Sequence, residues 1–264
     1  KKWNSFNGWN GKERFQNITT LKGDSAGTSM AYKVKAGDEV QMKIAVSYTS
    51  IENARNNLHA ECTAWEFDAV KEDSRNTWNE WLGKIKVEGG SVAQRIKFYT
   101  DLWHVLLGRH RINDVNGDYP DRTTGEKTNT GNLTDGFITD ANFIVKNPGI
   151  DASGKPKHNM YNSDAFWLTQ WNLNVLWGLA WPKIQDDMAS SLVAYSNNGG
   201  LLPRGPSGGG YSFIMTGCPA TNLIVSAFMK DILTKTDHEN AFQQIKKNHF
   251  PGGMMVEANS LQMT

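Results

Sequence analysis

Four tryptophans lie close together in the second half of the chain, and tryptophan is a residue type that can bind sugars. They are Trp167, Trp171, Trp177 and Trp181, out of ten tryptophans in the chain. An indole ring buries a large area and its N–H needs a partner, so such a cluster marks either a tightly packed helix pair or an aromatic-lined cleft. Because the C–H faces of sugars stack well on indole rings, the cluster leaves open a helical core and a carbohydrate site.

Two polar, glycine-containing segments resemble ion or phosphate loops but lack the residues that those loops require. Residues 114–118 begin like a calcium-binding EF-hand loop, yet Tyr119 and Gly125 stand where that loop needs glycine and glutamate. We predict instead a turn capped by its own Asx side chains. Residues 205–210 are not followed by the Gly-Lys-Ser/Thr of a phosphate loop, which argues against nucleotide binding.

Two charged residues are candidates for binding or catalysis. Arg204 carries a fork-shaped donor suited to sugar hydroxyls or to a carboxylate, and a structural ion pair is the competing interpretation. Glu257 stands in a polar segment near the end, where a solvated surface segment is the default interpretation. The six histidines show no metal-ligand spacing. Cys62 and Cys218 are too few for a disulfide framework and are expected to be two buried free thiols.

Composition excludes several classes of function. The 264 residues are 39% hydrophobic and 21% charged, as expected for a soluble globular protein with a sizeable core. The net charge is +1 and the basic residues are scattered, which argues against nucleic-acid binding. No apolar run approaches the roughly 20 residues of a membrane span. The start at Lys1 does not look like a signal peptide, but a mature or truncated start would look the same, so export stays open.

The hydrophobic period changes near residue 49. Residues 30–34 and 40–46 alternate with period two and predict two strands joined by a turn at 35–39. Two strands are too few to fold alone, so they are interpreted as the last strands of a larger sheet. From Ile51 the apolar residues recur every three or four positions, which predicts a long amphipathic helix capped by Ser50.

Further helices are predicted in the rest of the chain, at 92–107, 163–181, 184–197, 220–233 and 239–247. Between them lie a polar stretch at 109–157 and a loop dense in glycine and proline at 199–212. A stretch as long as 109–157 with little regular structure is often functional. The chain is therefore predicted to be mainly α with an N-terminal β part, a helical toroid whose loops build a cleft.

Several segments, in order along the chain, together resemble glycoside hydrolase family 92, the bacterial calcium-dependent exo-α-mannosidases. They include Phe-Tyr-Thr-Asp-Leu-Trp-His at 98–104, Gly-Leu-Leu-Pro at 200–203 and Met-Thr-Gly-Cys-Pro-Ala at 215–220, with others at 37–47, 50–54, 57–58, 114–117 and 166–169. The resemblance implies the end of a β-sandwich at 1–48, a helical linker at 49–90 and a partial (α/α)-toroid catalytic domain at 91–264. It also implies calcium, a glycan substrate and a periplasmic or secreted enzyme.

The same resemblance implies roles for individual residues. Inverting hydrolysis needs one carboxylic acid to protonate the leaving oxygen and a second carboxylate to activate water on the opposite face. Glu257 resembles the acid glutamate of the family, and Trp167 a tryptophan near the substrate. Arg204 and the matched residues Met215 and Cys218 are further candidates for substrate binding. The segments for the base and the calcium ligands are not visible.

Two departures from the family pattern bear on activity. The family has aspartate where this chain has Leu168, which leaves the sugar preference open, and Asp164, one turn earlier, is the candidate to compensate. The spacing from Met215 to Glu257 is shorter than in the family, so we expect missing residues near 252–255 and an inactive 264-residue chain with an active parent. A non-catalytic carbohydrate-binding relative, a hydrolase of another sugar and a purely structural helical domain are the alternatives.

Overall fold

A computed structural model of the chain describes residues 5–23, 25–123, 143–163, 166–212 and 217–253. The chain divides into two compact units, residues 1–44 and 45–264. In the described part of the chain, no helix combines the length and the apolarity that crossing a membrane requires.

The first unit is built around a three-stranded antiparallel sheet. Its strands are β1 (Ser5–Asn10), β2 (Glu13–Gln16) and β3 (Ala26–Ala31), in the order β2-β1-β3. Gly11 has φ +57° in the turn after β1, a conformation that glycine adopts without strain.

The prediction of a strand at residues 40–46 is wrong. The strand predicted at 30–34 is confirmed only for its first two residues, because β3 ends at Ala31. The alternation at 40–46 is present in the sequence, but the structure assigns no strand there and leaves Met42 and Ile44 exposed. Alternation describes side chains, whereas a strand also needs a neighbouring backbone for its N–H and C=O groups.

The second unit is mainly helical. It contains seven helices among its described residues: α1 (Ile51–Glu61), α2 (Phe67–Leu82), α3 (Val92–Leu106), α4 (Leu173–Ala180), α5 (Pro182–Gly199), α6 (Pro219–Phe228) and α7 (His238–His249). The predicted cap is confirmed, because the Ser50 side chain accepts the Asn53 N–H at the start of α1. The long helix predicted from Ile51 is divided into α1 and α2, with a break after Glu61.

Three two-stranded sheets lie between the helices. They are β4 (His110–Arg111) with β7 (Tyr161–Asn162), β5 (Tyr119–Asp121) with β6 (Ile144–Lys146), and β8 (Gly205–Ser207) with β9 (Gly210–Ser212). All three pairs are antiparallel. The pair β4–β7 joins the start of the polar stretch at 109–157 to the residues that follow it, and β5–β6 joins two parts within it.

The core of this unit lies between α4, α5 and α6. Trp177 and Trp181 belong to it, and their N–H groups donate to the backbone oxygens of Val105 (3.3 Å) and Trp81 (3.2 Å). The packed-helix interpretation is therefore confirmed for these two tryptophans. Trp167 and Trp171 are instead 39% and 76% exposed, so their rings are accessible.

The helix predicted over 163–181 is shorter than expected. A 3-10 turn at Thr169–Trp171 precedes α4, and Thr169 is buried with its hydroxyl donating to the Phe166 oxygen at 2.9 Å. A threonine that bonds the backbone three residues earlier favours a tight turn over a continuous helix.

Candidate functional site

Two segments that carry candidate residues run side by side. The Ser163 N–H donates to the Pro206 oxygen at 2.9 Å, and the Gly209 N–H donates to Asn162 Oδ1 at 3.4 Å. The backbone that leads to Trp167 therefore lies beside the backbone that follows Arg204. The Ser163 hydroxyl is buried and has no hydrogen-bond partner within the described ranges.

The segments that carry Arg204 and Cys218 are in contact through Asn248. Cys218 is the residue before α6. Burial lowers the pKa of the Arg204 guanidinium. Both side chains are buried. Cys218 is a free thiol as predicted, whereas Cys62 is only partly buried.

A buried amide joins these two residues' segments. Asn248, in the last turn of α7, accepts the Leu202 N–H at 3.0 Å and donates to Cys218 Sγ at 2.9 Å. Thr221 extends the same cluster, with its hydroxyl 3.2 Å from Cys218 Sγ and 3.0 Å from His249 Nε2. Asn248 was not singled out from the sequence, because a lone asparagine in a polar helix does not reveal a tertiary partner.

The loop that carries Arg204 is held at both ends. Gly200 ends α5 with φ +91°. The Tyr211 hydroxyl donates to the Leu201 oxygen at 2.6 Å, accepts the Leu201 N–H at 3.3 Å and lies 3.1 Å from the Tyr195 oxygen. These bonds fix the start of the loop to its end.

The glycines at 208 and 209 serve a hairpin turn between β8 and β9. Gly209 has φ +86°, and a Cβ there would lie 2.0 Å from the Pro120 oxygen. Its own oxygen accepts the Arg122 N–H at 2.9 Å. The glycine-rich sequence therefore provides a close approach of backbones, in agreement with the argument against a phosphate loop.

The residues 114–118 form the predicted self-capped turn. The Asp118 N–H donates to Asn116 Oδ1 at 3.1 Å, and the Gly117 N–H donates to the Asp114 oxygen at 2.9 Å. The turn also binds α1, which the sequence did not predict: Asn53 donates to Asp118 Oδ2 at 3.0 Å and Asn57 to Asp114 Oδ1 at 2.7 Å. The spacing of Asn53 and Asn57 on one helix face was the available clue.

The Asp118 carboxylate is held by three asparagine amides. Burial by itself raises the pKa of this group, but hydrogen bonds from Asn147, Asn53 and Asn116 outweigh it and lower the pKa below its ordinary value. The amides thus saturate the carboxylate and leave the turn a structural element. Among the described residues, no group of three or more His, Cys, Asp or Glu side chains is placed to hold a metal ion.

Three candidate residues, Asp164, Met215 and Glu257, lie outside the described residues. The expected join near 252–255 lies only partly within them. Of the candidates that are described, Arg204 and Cys218 are buried in segments that Asn248 joins, and Trp167 presents an accessible ring. An accessible indole ring is a surface on which a sugar can stack.

Comparison with known proteins identifies relatives. Residues 53–262 match the model of the glycosyl hydrolase family 92 catalytic domain. A family GH92 inverting mannosidase from Bacteroides thetaiotaomicron VPI-5482 superposes with a TM-score of 0.71 at 21% identity, covering 92% of this chain and 30% of that one. A family GH92 α-mannosidase from the same species, solved also with mannoimidazole, gives 0.70 at 18% identity, covering 94% of this chain and 31% of that one, or 30% in the complex.

The chain thus spans about a third of the length of these solved structures. At such low identity the superposition shows a shared fold. The match to the family model shows that the chain belongs to glycosyl hydrolase family 92. A search of curated proteins finds no match.

Proposed function

Because the chain belongs to glycosyl hydrolase family 92, we propose that the full-length protein is an inverting exo-α-mannosidase acting on α-linked mannose of glycans. The observation that carries the proposal is the family-model match over residues 53–262. The relative that was solved in complex with mannoimidazole supports a mannose-like ligand for this fold.

Glu257 is the proposed general acid, which protonates the glycosidic oxygen as the bond to the leaving sugar breaks. An inverting reaction also needs a second carboxylate, about 6.5–9.5 Å away, to take a proton from the attacking water. The position of that base in this protein is open.

The substrate-binding residues that we propose are Trp167, Asp164, Arg204, Met215 and Cys218. Trp167 offers an exposed ring on which the apolar face of a sugar can stack. Arg204 and Cys218 are buried and belong to segments that Asn248 joins, so we propose that they shape the site around the sugar. The side chain of the neighbouring Leu168 is exposed and has no hydrogen-bonding group, so we propose that other residues bind the mannose hydroxyls.

The finer architecture is also part of the proposal. It comprises the end of a β-sandwich at 1–48, a helical linker at 49–90 and a partial (α/α) toroid at 91–264. We further propose calcium dependence, since the family resemblance implies it, and a periplasmic or secreted location. Because no described cluster of acidic or histidine side chains fits the ion, no step of the reaction is assigned to it.

A second candidate function is non-catalytic carbohydrate binding. Leu168, in place of the aspartate of the family, favours it, because an apolar side chain cannot bond the sugar hydroxyls. Leu168 also leaves open a hydrolase of the same fold that prefers another sugar.

The deciding experiment is hydrolysis of an aryl α-mannoside and of α-linked mannobiose by the full-length protein, with calcium and with a chelator. Glu257→Gln is the matched variant, because it keeps the shape of the side chain and removes the acid. We expect calcium-dependent release of mannose that Glu257→Gln lowers by at least 10²-fold, a typical contribution of general acid catalysis.

The 264-residue chain is assayed in parallel and is expected to be inactive. Proton NMR of the first product tests inversion, since α-mannosides must release β-mannose first. Absence of hydrolysis of every α-mannoside would overturn the mannosidase proposal. Hydrolysis of another glycoside would then support the change of sugar, and sugar binding alone would support the binding protein.

A further inference from the structure

We propose that Asn248 is a positioning residue for the sugar site, which sets the 201–204 turn and Cys218 in a fixed relation to each other. The inference deepens the proposed function and rests on it for its meaning in catalysis. Its geometry rests on described contacts alone.

Asn248 uses both ends of its amide on a single residue of the turn. Oδ1 accepts the Leu202 N–H at 3.0 Å, and Nδ2 lies 3.4 Å from the Leu202 oxygen, to which it donates. The side chain therefore pairs with Leu202 as a neighbouring strand would, through one donor and one acceptor in the same plane. Of the two ends of the Asn248 amide, only the oxygen can accept the Leu202 N–H, so this bond fixes which end faces Leu202 N.

The same Nδ2 also donates to Cys218 Sγ at 2.9 Å. One rigid group thus joins the turn that leads to Arg204 and the residue that starts α6. Asn248 and Leu202 are both 0% exposed, so water cannot replace these bonds when they are lost. A displacement of the turn relative to α6 must therefore break bonds of a buried amide.

Anchoring of α7 does not depend on Asn248 alone. Four residues earlier, Gln244 accepts the Ser196 hydroxyl at 2.7 Å and donates to Asn197 at 3.1 Å. Gln244 thereby ties α7 to α5 without touching the turn. The two amides lie on the same helix and differ in what they hold, which makes Gln244→Ala a matched control for Asn248→Ala.

Only the amide of asparagine supplies all these contacts. In Asn248→Asp, an oxygen replaces Nδ2, so the bonds to the Leu202 oxygen and to Cys218 Sγ are lost at nearly constant volume, while the bond from the Leu202 N–H remains. Asn248→Asp is therefore the second variant to use if Asn248→Ala does not fold, as judged by circular dichroism.

The first measurement is the labelling rate of Cys218 by a thiol reagent, resolved from Cys62 by peptide mass spectrometry. We expect Asn248→Ala to accelerate Cys218 labelling at least tenfold and to leave Cys62 unchanged, since the turn and α6 are no longer held together. Gln244→Ala should leave both rates near those of the unmodified protein. Equal acceleration by the two variants, or none by Asn248→Ala, would overturn the proposal.

The second measurement is the kinetics of α-mannobiose hydrolysis by the full-length protein. A displaced sugar site raises KM, about tenfold for one lost interaction, with kcat little changed, whereas simple destabilisation lowers kcat through the active fraction and leaves KM unchanged. An unchanged KM in an active Asn248→Ala enzyme contradicts the positioning role. If no α-mannoside is hydrolysed by any form, the proposed function fails, and Cys218 labelling alone decides whether Asn248 positions the turn.

Discussion

Replacing Asp114 with alanine should weaken the connection between α1 and the turn at 114–118. The carboxylate is buried and accepts hydrogen bonds from Ser47 (2.9 Å), Thr49 and Asn57 (2.7 Å). Asn57 lies in the middle of α1, and Ser47 and Thr49 lie before the helix. Since the turn and α1 are far apart in sequence, the substitution removes a long-range connection and leaves the helix itself unchanged.

The expected loss follows from the number and exposure of these bonds. A hydrogen bond to a charged group contributes roughly 1.5–3 kcal/mol to stability. The sum of three such contributions exceeds the loss of stability that a single substitution usually causes. The Ser47 and Thr49 hydroxyls are only partly buried, however, and water can replace their bonds to Asp114. We therefore expect Asp114→Ala to lower the free energy of unfolding by about 3 kcal/mol and Asp114→Asn by about half of that.

Urea unfolding followed by tryptophan fluorescence measures this loss, and a double-mutant cycle with Asn57→Ala isolates the pair. The coupling should be on the order of 1–2 kcal/mol, because Asn57 and Asp114 are in direct contact. A loss below about 0.5 kcal/mol for Asp114→Ala, or strict additivity in the cycle, would refute the assignment of the turn as the clamp on α1.

Three further predictions concern the second unit. Gly209→Ala should lower the free energy of unfolding by several kcal/mol, because its Cβ would lie 2.0 Å from the Pro120 oxygen. Gly208 has φ +57° and open space around it, so Gly208→Ala should lower the free energy of unfolding by only about 1 kcal/mol. Thermal unfolding measures both losses. Burial lowers the pKa of His158, so the unfolded state binds a proton at a higher pH than the folded state does, and stability is lost as pH falls below roughly 6.5. His158→Gln should flatten this part of the profile of the urea midpoint against pH. An unchanged profile would contradict the prediction. Trp177→Ala should cost about 3–5 kcal/mol by urea unfolding and Trp177→Phe clearly less, since the ring is 1% exposed.

Local features of the fold could be predicted from the sequence, because their causes lie within a few residues. Ser50 begins a helix through its own hydroxyl, and Gly200 ends one through its positive φ. The alternation at 40–46 led to a wrong prediction of a strand, because a strand also needs a neighbouring strand to bond its backbone, and no local pattern reveals that neighbour. The break after Glu61 was missed because the apolar period continues across it.

The candidate site was predictable only in part. The side-chain chemistry of Arg204 and the family resemblance of the Cys218 segment marked these two residues, and the structure joins their segments through Asn248. Asn248 could not be found in this way, since its role depends on Leu202, which comes near only when α5 and α7 pack. For Glu257 and for the boundaries at residues 48 and 90, the sequence interpretation stays a prediction.

The hydroxyl of Tyr211 has a consequence for how this protein can evolve. By bonding the backbone at Leu201, it closes the 201–211 segment into a ring whose base is buried and whose tip at Gly208 is exposed. Compact loops with adjoining ends keep their shape through their own side chains. A change of side chain at the exposed tip, Gly208, therefore leaves Arg204 in place, because the segment is closed at its buried base.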